Sequence, residues 1–126
     1  MTETIKWLGA PEDHNYPAAE SYLSLIMGMG PIRVGPSIID QLKNAKVVAF
    51  KAKDIFRASG LSLLGVNNFH VKKTIKKIES GKLLSPILLV CDTIDKKLII
   101  ADGYHRLCAV YSFDEDAEIP CKIIYL

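Results

Sequence analysis

The sequence predicts an α+β domain: a small mixed β-sheet packed with helices, with an N-terminal helical extension over residues 1–45. Three observations carry this reading. Pro86-Ile87-Leu88-Leu89-Val90-Cys91 is a continuous apolar run of strand length, the pattern of a strand buried on both faces. Asp92 to Lys96 is a polar turn into a second apolar run, Leu98 to Ala101, which makes a hairpin. Val71, Ile75 and Ile78 recur at i, i+4 and i+7, the period of a helix with one buried face.

The remaining elements follow in order. Residues 1–16 hold Gly9, Pro11, Asp13 and Asn15 with little periodicity, and read as an arm anchored by Trp7. Pro17 suits the first position of a helix, whose apolar stripe is Tyr22, Leu23, Ile26 and Met27. Gly28-Met29-Gly30-Pro31 ends it, and Gly35-Pro36 opens a short helix over about Ser37 to Asn44. Val47 to Phe50 is a short strand, and Lys53 to Gly60 a brief helix closed by its glycine. Asn67 or Asn68 caps the next helix, which runs to Ser80-Gly81. A helix after Gly103 places Tyr104, Leu107, Cys108 and Tyr111 on one face. Ile119 to Tyr125 is the last strand, with Pro120 tolerable near its start or on an edge.

At 126 residues the chain suits one compact unit, with residues 46–126 as its main domain. A net charge of +2 is too small for nucleic-acid binding through bulk electrostatics, so any basic footprint must be local. Cys91, Cys108 and Cys121 are widely spaced within apolar stretches and outside any CxxC pattern, as buried reduced thiols would be. The first residues lack the apolar stretch of a signal peptide, and no segment approaches membrane-spanning length. A cytoplasmic protein is expected.

The chemistry concentrates at Ala101-Asp102-Gly103-Tyr104-His105-Arg106-Leu107, where strand passes through a turn into helix. Unpaired N–H groups at a helix start favour an anion, as do the aligned peptide dipoles. Gly103 permits a sharp turn and close approach, and Arg106 offers a fork of donors matched to phosphate. Positive side chains at this end of a helix oppose the dipole unless an anion compensates, which favours a binding role for His105 and Arg106. Asp102 reads either as a turn residue capping the helix or as a magnesium ligand or base beside phosphates. His70, Lys73 and Lys77 fall at i, i+3 and i+7, a polar stripe beside the buried one and placed to overhang this turn. Lys72 and Lys76 read as a solvated face, and Tyr104 and Tyr111 as core or rim aromatics. Glu12-Asp13-His14 reads as a loop, and Asp114-Glu115-Asp116 as a solvated acidic turn.

The order of parts from about residue 46 onward resembles the ParB/sulfiredoxin superfamily: basic helix, Ser85-Pro86, buried strand, hairpin, Asp102-Gly103-Tyr104-His105-Arg106, last strand. The sulfiredoxin turn reads Gly-Gly-Cys-His-Arg and contacts ATP phosphates, and a free-serine kinase branch carries Asp-Gly-His-His-Arg. The resemblance implies phosphate binding by Gly103, His105 and Arg106, with His70, Lys73 and Lys77 in the place of sulfiredoxin's helix ligands. It implies a nucleotide (ATP, ADP or CTP) with Mg2+, and phosphoryl transfer or nucleotide hydrolysis if there is turnover. Tyr104 stands where sulfiredoxins have their cysteine, which excludes sulfinic-acid reduction by that nucleophile. ParB proteins carry a glutamate there, also missing here, and their separate DNA-binding domain has no counterpart. The alternative functions are a non-catalytic DNA-associated ParB-like module and a protein-interaction domain.

Overall fold

The computed structural model describes residues 5–27, 35–93 and 96–126. In chain order the elements are α1 (Asn15–Met27), α2 (Gly35–Asn44), β1 (Val48–Lys51), α3 (Ala52–Ser59) and α4 (Phe69–Glu79). They continue as β2 (Ile87–Asp92), β3 (Lys97–Asp102), α5 (Tyr104–Phe113) and β4 (Glu118–Tyr125). The α+β architecture predicted from the sequence is the one observed. The helix stop expected at Gly28 to Pro31 and the middle of the hairpin turn lie outside the described residues.

The strands form one mixed sheet in the order β1-β4-β2-β3. β2 pairs antiparallel with β3 as a hairpin and parallel with β4, which explains its unbroken apolar sequence. Alternate β2 side chains feed two cores. Ile87 and Leu89 join Val71, Ile78, Leu107 and Ile119 on the face covered by α3, α4 and α5. Leu88 and Val90 join Leu23, Leu42 and Ile124 on the face covered by α1 and α2. Residues before 46 therefore supply the helices of one entire sheet face. Pro120 is compatible with a central strand because the β2 pairing begins only at Cys121, leaving β1 as its sole neighbour there.

Local signals set the helix ends. Asn68 caps α4, its Oδ1 accepting from the backbone N–H of His70 and Val71. Gly60 closes α3 at φ +68°, its N–H donating to the Phe56 carbonyl. α1 starts two residues before Pro17, at a buried Asn15 whose Oδ1 accepts from Glu12 N–H at 2.7 Å. Trp7 does anchor the arm: it forms a parallel bridge with Leu84, flanked by two 2.8 Å backbone hydrogen bonds. That bridge brings residues 6–14 alongside the segment entering β2.

Among the described residues no helix is long and apolar enough to cross a membrane. The three cysteines are free; Cys108 and Cys121 are buried, and Cys91 is half-buried. Burial raises both buried thiols, Cys121 to about 12, so they stay protonated at neutral pH.

Candidate functional site

The β3–α5 turn is shaped by Gly103, which adopts φ +114° and serves as the N-cap of α5 without any side-chain cap. The first amides of α5 are thus left uncapped by protein side chains. Asp102 does not take the capping role that its position suggests. Its Oδ2 instead accepts from Arg106 Nη2 at 3.0 Å, one helical turn on, with both side chains less than one-fifth exposed. This pair fixes the guanidinium beside the turn. Arg106 Nε is buried with no hydrogen-bond partner among the described residues, so part of the fork remains unused by the protein.

The stripe on α4 overhangs this turn. His70, Lys73 and Lys77 line a cleft of about 290 Å³ together with Asp102, Gly103, Tyr104, His105 and Arg106. The imidazoles of His70 and His105 lie with ring centroids 4.7 Å apart. Every residue proposed for the site from the sequence therefore meets in one polar cleft. Lys72 and Lys76 stay on the exposed face of α4, and Asp116 pairs with Lys53 at 2.6 Å in the acidic turn.

The cleft also contains residues that the sequence did not single out for it. Glu12 and His14 of the arm reach it, so all three histidines of the chain line one cavity. Glu12 accepts a short hydrogen bond from the buried Ser85 hydroxyl, tying the arm to the entrance of β2. Thr74 lines the floor, its hydroxyl donating to the His70 carbonyl at 3.1 Å. Within the sequence the run Glu12-Asp13-His14 reads as a loop, and the anchoring Trp7 nearby was the one hint of where that loop would lie.

Tyr104 is half-buried against the core, and its hydroxyl donates to the Ser62 carbonyl. Burial, then Cys108 and Tyr22, keeps that hydroxyl above the usual phenol range, so it acts as a donor. Burial, reinforced by His70, lowers the His105 imidazole below its ordinary value. The sign for stability follows. Above about pH 6.5, the ordinary histidine value, folded and unfolded chains both hold this group neutral. Below that, the unfolded chain takes up the proton first, so stability falls until the folded imidazole also titrates. The urea midpoint is expected to drop between pH 7.5 and 5.5, with the drop reduced in His105→Gln. An unchanged drop in the variant would place its cause elsewhere.

Among the described residues no three His, Cys, Asp or Glu side chains converge on a common metal position. No protein family, curated protein or solved structure matches this chain.

Proposed function

We propose that the chain is a nucleotide-binding domain of the ParB/sulfiredoxin kind, with the cleft between α4 and the β3–α5 turn holding the phosphate chain. The observation that carries this is the convergence of Lys73, Lys77 and Arg106 with His70 and His105 around an uncapped helix start. In this role the α5 amides and Arg106 bind phosphate oxygens, and Lys73 and Lys77 neutralise the rest of the charge. The His70 and His105 rings donate from their N–H groups to the same oxygens.

The reaction class open to such a site is phosphoryl transfer or nucleotide hydrolysis, in which the protein contributes positioning and charge stabilisation. In this reading Asp102, which lines the cleft, acts as a base or holds Mg2+. Magnesium commonly takes one or two carboxylates plus ligand phosphates, so Asp102 beside the phosphates, with Glu12 also lining the cleft, fits it. When bound, the ion would neutralise phosphate charge.

A DNA-associated role is the second reading, favoured by the four lysines exposed along α4. Calorimetric titration separates the two. ATP or CTP with magnesium should bind with one-to-one stoichiometry. Affinity should fall on the order of tenfold in Lys73→Gln/Lys77→Gln and stay level in Lys72→Gln/Lys76→Gln. Salt-dependent duplex DNA binding that needs Lys72 and Lys76, without nucleotide affinity, would overturn the proposal.

A further inference from the structure

A second cavity, of about 300 Å³, adjoins the phosphate cleft and shares with it Asp102, Gly103, Tyr104 and His105. Its remaining walls differ in kind. They are Ala18 and Tyr22 of α1, Leu61 from the loop after α3, and Ile100 and Ala101 of β3. Among the described residues no lysine or arginine lines this cavity. Resting on the phosphate-cleft reading, we infer that it is the subsite for the planar ring of a nucleoside, walled by Tyr22 and Tyr104.

Shape and chemistry agree on this. Sites that enclose a drug-sized ligand span about 300–1,000 Å³. Either cavity alone sits at the lower limit, so a nucleotide needs both. The division matches the two halves of such a ligand: among the described residues Lys73, Lys77 and Arg106 face only the first cavity, and the walls peculiar to the second are apolar or aromatic. Tyr104 lines both, and the bond from its hydroxyl to the Ser62 carbonyl fixes the ring at their junction. Tyr22 and Tyr104 both line this cavity, one from α1 and the other from the start of α5. Aromatic side chains of this kind bind bases by stacking with little regard to base identity. Asp102 also lines both cavities, where the sugar must cross, and its carboxylate can accept from sugar hydroxyls.

The inference gives α1 a binding role beyond covering the sheet. Tyr22 is 40% exposed and belongs to neither buried cluster, so its truncation spares the core. Titrating tripolyphosphate, ATP, CTP and the free nucleosides into wild type, Tyr22→Ala and Tyr22→Phe tests it. The nucleoside triphosphates should bind about tenfold tighter than tripolyphosphate. Tyr22→Ala should erase that difference without altering tripolyphosphate affinity, and Tyr22→Phe should preserve it. Equal affinity for both kinds of ligand in wild type, or a difference untouched by Tyr22→Ala, overturns the subsite and leaves the phosphate cleft standing. Tyr22-dependent nucleoside binding with no tripolyphosphate binding overturns the cleft and leaves the subsite. Failure of every probe overturns both.

Discussion

Replacing Gly103 with alanine is expected to destabilise the fold by about 2–5 kcal/mol, adding overpacking to left-handed backbone strain. At φ +114° the new Cβ would sit 2.3 Å from Ile87 Cγ2, and 2.8 Å from both Ile87 Cβ and Arg106 Nη2. Ile87 cannot yield easily. It is β-branched, fully buried and fixed in the first position of β2, where it pairs with Cys121 of β4. Relief must then come from moving the turn or the guanidinium, and either disturbs the cleft. A thermal melt should show the midpoint lowered by roughly 10 °C or more. Gly60→Ala is the comparison: φ is +68°, but nothing lies within 4 Å of the added Cβ. Strain alone should then cost about 1 kcal/mol. Equal effects at the two positions would mean that close packing at Gly103 does not matter.

Arg106→Ala is expected to weaken tripolyphosphate and nucleotide binding by about 10- to 150-fold, the range for losing one hydrogen bond to a charged group. The guanidinium is oriented by Asp102 through the 3.0 Å bond and keeps donors to spare. Arg106→Lys should recover little, because an ammonium cannot satisfy Asp102 and grip phosphate in the same fork geometry. Truncation also leaves the Asp102 carboxylate, 19% exposed, without its partner. Arg106→Ala should therefore melt lower as well, and titrations belong well below that melting point. Unchanged affinity in a folded Arg106→Ala protein would remove the guanidinium from the site.

Local chemistry made much of this molecule legible in its sequence. The apolar run before Asp92 has the length and continuity of an interior strand, and Asn68 and Gly60 mark their helix ends by mechanisms that need no tertiary context. The i, i+3, i+7 stripe of α4 beside its buried face suited His70, Lys73 and Lys77 to overhang a neighbouring turn, and in the structure they share a cleft with it. Interactions between distant segments were not legible. Glu12 meets Ser85 across 73 positions, a contact created by the Trp7–Leu84 bridge rather than by any pattern near either residue. Lys122 alternates into a buried position of β4, where its ammonium donates to the Lys43 carbonyl at 2.6 Å and lies over the Tyr16 ring. Nothing local distinguishes it from a solvated lysine. Asp102 shows the intermediate case. Its i, i+4 spacing to Arg106 was visible, but the capping preference of aspartate competed with it until Gly103 took the N-cap.

Isotope-resolved NMR during a tripolyphosphate titration asks most directly whether the cleft is an anion site. Binding there should shift the backbone amides of Tyr104, His105 and Arg106 together with the ring signals of His70 and His105. Shifts confined to the Lys72 and Lys76 face of α4, or no saturable shift at all, would contradict it.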